Sequence, residues 1–258
     1  MSARPHPPLA LVRRPAASLA SGCVSFIERQ PLDVDLARRQ WAAYVGALHA
    51  HGWPTIEVGP DDTLPDSVFI EDAVVMFGDL AVITSPGEPA RRPETAAAAE
   101  TVRRLGYQPA YITRGTFDGG DVLKVGRTAY VGLSGRTSRA AVAELRELLA
   151  PRGWEVSGVP LTKVLHLKSA VTALPDGTVI GYRPLVDDES AFPAFLGVPE
   201  EGGAHVVVLD EETVLMSAHA PRTADIFRGR GLTVVTVDIS EFEKLEGCVT
   251  CLSVRIRG

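Results

Sequence analysis

The sequence predicts an α/β protein built from repeated modules of hairpin, helix and strand. Three observations carry that prediction. Pairs of short β-like runs separated by turn residues recur along the chain, helical patterns lie between the pairs, and each helical pattern leads into another short apolar run. Leu9 to Arg13 opens as a strand, Asp35 to His49 repeats Ala37, Trp41, Tyr44, Val45 and Leu48 at helical spacing, and Thr55 to Val58 reads as β. Val74 to Thr84 forms a hairpin around Gly78-Asp79, Pro93-Glu94 starts an alanine-rich helix to Leu105, and Ala110 to Thr113 follows as a strand. Asp121 to Leu133 turns at Gly126-Arg127, Ser138 caps a helix from Arg139 to Leu149, and Trp154 to Val156 closes the unit. A third hairpin, Val171 to Tyr182, turns at Pro175-Asp176-Gly177. The fourth, His205 to Met216, turns at Asp210-Glu211-Glu212 and precedes a helix from Pro221 to Arg228 and a strand from Leu232 to Val237. Pairing Val249 to Ile256 with Leu9 to Arg13 supplies a fifth, which favours a closed ring over the plainer mixed α/β sheet. A ring brings one end of every module to a common axis.

Composition narrows the function. A chain of 258 residues, 45% hydrophobic and 22% charged, has enough apolar material for a large core, and no low-complexity linker divides it, so residues 1–258 are read as a single catalytic domain. A net charge of -6 and the lack of any basic run argue against nucleic acid and anionic membrane as partners. Met1 to Pro8 holds no continuous apolar leader, and the chain has no run of apolar residues long enough to span a bilayer. The expectation is a cytoplasmic monomer or homodimer acting on a small molecule. Three cysteines make no even disulfide framework, which draws attention to Cys248 and Cys251 as thiols.

Cys251 stands in Gly247-Cys248-Val249-Thr250-Cys251-Leu252-Ser253, which reads as a turn entering the terminal strand, with Val249 and Cys251 on one face by alternation. A lone strand cysteine is usually a small core residue. Zinc would need four ligands, and neither a second cysteine pair nor a His-x-x-x-His partner exists; a redox pair would stand at a helix start. His166, in the apolar-flanked Lys163 to Ser169 stretch before the third hairpin, is the histidine best placed to serve a thiolate. His6 lies in the tail, His49 and His51 end a helix, and His205 and His219 flank the fourth hairpin. Carboxylates gather in two turns just before hairpins: Asp66, Glu71 and Asp72, then Asp118 and Asp121. The second turn, Asp-Gly-Gly-Asp, is also ordinary turn chemistry and faintly like a calcium loop. In a ring these acids, His166 and Cys251 all point to one end, and an acidic mouth suits a planar guanidinium. Arg91-Arg92 and Arg136 follow successive hairpins, where a cation would meet the α-carboxylate of an amino-acid substrate.

With these residues assembled, the chain resembles the dimethylarginine dimethylaminohydrolases of the guanidine-modifying superfamily, which also holds arginine deiminases and amidinotransferases. The resemblance rests on Pro65 to Asp72 (PDSVFIED), Pro86 to Glu94, Asp118 to Asp121 (DGGD), Lys163 to Lys168 (KVLHLK) and Val249 to Ser253 (VTCLS). It implies a five-bladed, pseudo-symmetric α/β propeller of the pentein type, made of ββαβ modules. It also implies roles: Cys251 as nucleophile, His166 as general acid and base, and Asp118 holding the histidine and the substrate. Asp66, Glu71 and Asp72 match substrate-site carboxylates, and Arg91 and Arg136 the residues gripping the amino-acid end. Backbone groups of Cys23 and Leu245 match contacts to the α-amino group. Two positions depart from the family's pattern, Cys23 where a Leu often stands and Asp118 where some members have Glu.

The implied reaction is hydrolysis of asymmetric dimethylarginine or monomethylarginine to citrulline and dimethylamine or methylamine, through a covalent S-alkylthiouronium on Cys251. It needs no cofactor; a Cys/His pocket admits zinc only as an inhibitor. The alternatives are deimination of unmethylated arginine, another guanidine reaction, a Cys-x-x-Cys redox protein, and a non-catalytic propeller like the ribosome anti-association factor.

Overall fold

The computed structural model describes residues 8–257, so His6 and most of the Met1 to Pro8 stretch lie outside the described residues. Strand β1 (Leu9–Val12) leads through helix α1 (Val34–Ala50) to β2 (Thr55–Glu57), which lies parallel to it. The second module is the antiparallel pair β3 (Val74–Phe77) and β4 (Leu80–Ile83), helix α2 (Glu94–Arg104) and β5 (Gln108–Tyr111), parallel to β4. The third repeats this order in β6 (Val122–Val125), β7 (Thr128–Leu133), α3 (Arg139–Leu149) and β8 (Glu155–Pro160). A single-turn helix α4 (Leu167–Ala170) opens the fourth, β9 (Val171–Ala173), β10 (Val179–Gly181) and β11 (Phe195–Gly197). The fifth is β12 (Val206–Val208), β13 (Thr213–Ser217), α5 (Pro221–Gly229) and β14 (Thr233–Val237). Helix α6 (Ser240–Glu243) then leads to β15 (Val254–Ile256). β15 runs antiparallel to β1, with Leu9 opposite Ile256, so the last strand completes the first module. Among the described residues the result is five three-stranded sheets. This is the ring that the hairpins favour and the pentein fold that the resemblance implies.

Two local readings need correction. The fourth module crosses from β10 to β11 through the turns Arg183–Leu185 and Glu189–Ala191 instead of an α-helix. Pro184 and Pro193 suit that irregular path, since neither can donate to a helical ladder. The segment 249–252 is a turn, not strand: the Cys251 amide donates to the Cys248 carbonyl at 3.1 Å, and β15 begins at Val254. Strand alternation therefore does not orient Cys251.

The core lies between modules. Along β3, Val75 and Phe77 join one cluster with Val122, Val131 and Leu145 of the third module, while Val74 and Met76 join another with Ile83, Ala98 and Val102. Alternate residues of one strand are thus buried on opposite faces. Each such aliphatic or aromatic side chain contributes roughly 1.5–3 kcal/mol by burial, so neighbouring modules hold each other in place. Helix α1 begins where Asp33 accepts the Leu36 amide at 2.9 Å, and it buries Ala37, Gln40, Tyr44 and Leu48. Trp41 and Val45, expected on that stripe, pack at its margin. Gln40 takes the central place because its amide donates to the Ser240 hydroxyl and its carbonyl accepts from the Glu241 amide.

Candidate active site

Each inner strand is entered from a tight turn, and these turns meet at one end of the ring. Ile70–Asp72 precedes β3, Gly119–Asp121 precedes β6, and His166 sits immediately before α4 and β9. The turn 248–252 precedes β15. There Asp66, Asp72, Arg91, Arg136, His166 and Cys251 line one narrow cleft together with Cys23, Leu245, Phe69, Leu165, Glu246 and Gly247. Its free volume is about 20 Å³, room for about one water.

Cys251 is held at both ends of its turn. Its carbonyl accepts the Glu71 amide at 3.2 Å, and the Tyr44 hydroxyl bridges the Val249 carbonyl (2.9 Å) and the Ser253 hydroxyl (2.7 Å). Burial pushes that phenol up to about 12, so it is neutral and free to donate. The Cys248 sulfur lies 3.4 Å from that of Cys251. The two thiols are coupled through this contact, which pushes Cys251 up and draws Cys248 down; burial and the carboxylates of Glu71 and Asp72 add to the rise at Cys251.

His166 is 4% exposed and lies between two acids. Nε2 is 3.0 Å from Asp118 Oδ2, and Nδ1 is 3.7 Å from Asp72 Oδ1. Burial opposes the charged ring, but Asp72, the hydrogen bond to Asp118, and Asp121 outweigh it and raise the pKa to about 9. His166 is thus an imidazolium at neutral pH. Asp72 titrates well below the usual carboxylate range: burial opposes this, and His166, Arg91 and the Gly120 amide prevail.

The glycines of Asp-Gly-Gly-Asp allow this contact. A Cβ on Gly120 would stand 2.6 Å from both Asp72 Oδ1 and His166 Nδ1, and one on Gly119 would stand 2.0 Å from the Glu71 carbonyl. The motif is a close-packed joint between two entry turns rather than a cation loop.

Several residues are placed otherwise than their spacing suggested. Glu71 turns away from the cleft into the axial cavity, where Oε1 meets Lys168 Nζ at 2.5 Å and Arg255 at 2.7 Å. Consecutive residues of one tight turn cannot face the same way, and Asp72 takes the cleft side. Asp118, with no exposed surface, stands behind His166 and does not line the cleft; its Oδ1 accepts the Gly87 amide at 2.8 Å. Asp121 also stays behind the site, accepting the Leu167 amide (2.9 Å) and the Ser134 hydroxyl (2.7 Å) and so fixing the backbone beside His166. Arg91 lines the cleft, but its guanidinium donates to Asp72 (2.6 Å), to both Glu94 oxygens (2.9 and 3.1 Å) and to the Asp66 and Phe69 carbonyls. Arg136 is different: its buried Nη1 has no hydrogen-bond partner and lies 3.8 Å from Asp118 Oδ2. Asp66 accepts the Cys23 amide with both oxygens at 3.1 Å, which pins residue 23 to the rim.

Glu94, Tyr44 and Glu246 support the site and carry no site assignment from sequence. Arg91 and Glu94 stand three apart across a helix start, a visible spacing whose burial was not. Glu246 carries no local signal; it adopts φ 61° and accepts the Ser25 amide (2.9 Å) and the Phe26 amide. Among the described residues, no group of three or more His, Cys, Asp or Glu side chains is arranged to hold a metal ion. No helix there is long and apolar enough to cross a membrane.

A ring of five three-stranded modules, four of them with a crossover helix, and with Cys, His and carboxylates meeting at one end, defines a pentein of the guanidine-modifying class. No protein-family model matches the chain. The dimethylarginine dimethylaminohydrolase of Streptomyces coelicolor is 59% identical over 249 residues, spanning 96% of each chain. A solved dimethylarginine dimethylaminohydrolase from Pseudomonas aeruginosa, a Cys-to-Ser variant complexed with citrulline, superposes with a TM-score of 0.89 at 33% identity, covering 96% of this chain and 98% of its own. A His-to-Gly variant of the same kind of enzyme, solved as an adduct with S-methyl-L-thiocitrulline, also gives 0.89 at 32% identity over 96% of this chain and 99% of its own. The chain belongs to the dimethylarginine dimethylaminohydrolase family.

Proposed function

We propose that this protein, acting as one catalytic domain, hydrolyses asymmetric dimethylarginine and monomethylarginine to citrulline and the corresponding methylamine. The observation that carries this reading is the meeting of Cys251, His166, Asp66, Asp72 and Arg136 in a single cleft, in a chain of this family. The substrate lies with its guanidinium between the acids and Cys251, and its α-carboxylate pairs with the Arg136 guanidinium, whose Nη1 makes no hydrogen bond within the protein. Backbone groups of Cys23 and Leu245 meet the α-amino group at the rim. Arg91 acts indirectly by keeping Asp72 charged and fixed. A guest of arginine's size needs more than the present volume, so it enters as the rim around Glu246 and residues 23–27 gives way.

A cationic guanidinium beside the sulfur opposes the carboxylates that push the Cys251 thiol up. Its charge favours thiolate, and the thiol proton leaves to solvent. The Cys251 sulfur adds to the guanidinium carbon, and His166, held by Asp118 through Nε2, gives its Nδ1 proton to the departing amine. The C–N bond breaks and a thiouronium remains. Neutral His166 then takes a proton from water as its oxygen adds to that carbon; collapse breaks the C–S bond, and the proton left on the new hydroxyl passes to the departing sulfur, so that citrulline and the Cys251 thiol are released. Cys251, His166 and the carboxylates carry every step, so the reaction calls for no cofactor.

Deimination of unmethylated arginine would use the same groups. Parallel assays of citrulline from arginine, monomethylarginine and asymmetric dimethylarginine separate the two. The methylated substrates are expected to give the higher kcat/KM; a preference for arginine would overturn the assignment. A non-catalytic propeller would give no citrulline from any of them.

A further inference from the structure

We propose that the axial cavity on the far side of the Glu71 ion pair from the cleft is a binding site for a small multivalent oxyanion of the phosphate class. The cavity measures about 460 Å³, within the range of small-ligand sites. It is bounded by the inner strands β3, β6, β9, β12 and β15, each the terminal strand of its sheet. Consecutive residues such as Val74, Val75 and Met76 line it, as they do where a strand turns its edge rather than a face to the space. Strand edges carry unpaired backbone groups.

Its charge is the stronger indication. Five cations, Lys124, Arg127, Lys168, Arg255 and Arg257, line the cavity against one carboxylate, Glu71, in a chain whose net charge is -6. Glu71 is already shared by Lys168 and Arg255 through Oε1, while its Oε2 has no hydrogen-bond partner. The other three have contacts that satisfy donors without neutralising charge. Lys124 Nζ donates to the Met76 carbonyl at 2.7 Å, and Arg257 donates to the Val208 carbonyl and lies over the Trp53 ring. Arg127 lies over the Trp154 ring. Lys124 is exposed to the space of the cavity, and the surrounding protein, then Lys168, Arg255 and Arg257, push its pKa down. Like charges gathered around one cavity repel, and a guest with two or more negative charges lowers that repulsion. The cations come from three different modules, which suits a tetrahedral oxyanion better than one flat carboxylate.

Isothermal titration of the whole protein with sodium pyrophosphate and sodium phosphate tests this, with sodium chloride at matched ionic strength as control. Saturable one-to-one binding is expected, tighter for pyrophosphate and weakened tenfold or more in Lys124→Met. It should be unchanged in Arg136→Ala, which alters the cleft instead. Arg257→Met gives a second reading should Lys124→Met fail to fold, as judged by circular dichroism. Three results would overturn the proposal: no saturable binding through millimolar concentrations, equal binding of chloride, or loss of binding in Arg136→Ala with retention in Lys124→Met. None depends on which guanidine the cleft accepts.

Discussion

Replacing Asp118 with Asn keeps the shape around His166 and removes one of the charges that hold its proton. Asp118 Oδ2 lies 3.0 Å from Nε2 and has no exposed surface, so its charge is little screened. One such partner shifts a pKa by about 1–3 units, and Asp72 and Asp121 persist in the variant. The ring should therefore fall from about 9 by roughly 1–2 units. At about pH 8.5 the protonated fraction drops from roughly three-quarters to between about a quarter and a thirtieth, a 3- to 25-fold loss of the acid proposed to release the amine. At about pH 6.5 the ring is still mostly charged on either value, so the deficit there reflects orientation alone. The pH profile of kcat/KM for citrulline formation, which reports the free enzyme, should show its alkaline limb displaced downward in Asp118→Asn. If both proteins lose activity at the same alkaline pH, Asp118 does not set the His166 proton and the acid role assigned here is wrong.

Other outcomes follow from the same geometry. Because the folded His166 pKa is raised from about 6.5 to about 9, its contribution of about 3 kcal/mol is fully present below 6.5 and is lost as pH rises through 9. Urea denaturation of wild type and His166→Asn should show a stability gap that narrows over that window; a gap independent of pH would contradict the linkage. Arg136→Ala should raise KM for methylated arginine by about 30-fold or more, as expected for losing a charge-assisted bond of about 2 kcal/mol or more. A dimethylguanidine lacking the carboxylate should serve both proteins alike; a parallel loss there would remove Arg136 from carboxylate binding. Gly120→Ala should cut kcat at least tenfold with far-UV circular dichroism unchanged, because its Cβ must displace Asp72 or His166; wild-type kcat would show that the joint is compliant. Cys248→Ser should retain activity within a few-fold while Cys251→Ser abolishes it, and equal losses would favour a redox pair.

The ring was legible because its signals are local: Gly78-Asp79, Gly126-Arg127 and the acidic turn at 210–212 each announce a hairpin, and Ser138 does cap α3, accepting the Ala141 amide. Side-chain direction within the tight turns was not local. Glu71 and Asp72 are neighbours, and packing against Lys168 and Arg255 on one side and Arg91 on the other decides which acid faces the cleft. The two aspartates of Asp-Gly-Gly-Asp likewise part, Asp118 to the imidazole and Asp121 to the Leu167 amide. Arg91 and Arg136 look equivalent by position, yet only the first has Glu94 beside it to take up its donors. Cys251 was read as a strand residue because β-branched neighbours suggested pairing, while hydrogen bonds from Tyr44, far away in sequence, hold that segment as a turn.

The central claim is that Cys251 becomes covalently bonded to the guanidinium carbon. Acid-quenching the protein during turnover of asymmetric dimethylarginine, then mapping the modified peptide by mass spectrometry, tests this most directly. An adduct equal in mass to the substrate less dimethylamine, located on Cys251 and missing from Cys251→Ser, is the predicted result. Citrulline formed with no adduct at any time, or an adduct on Cys248, would contradict it.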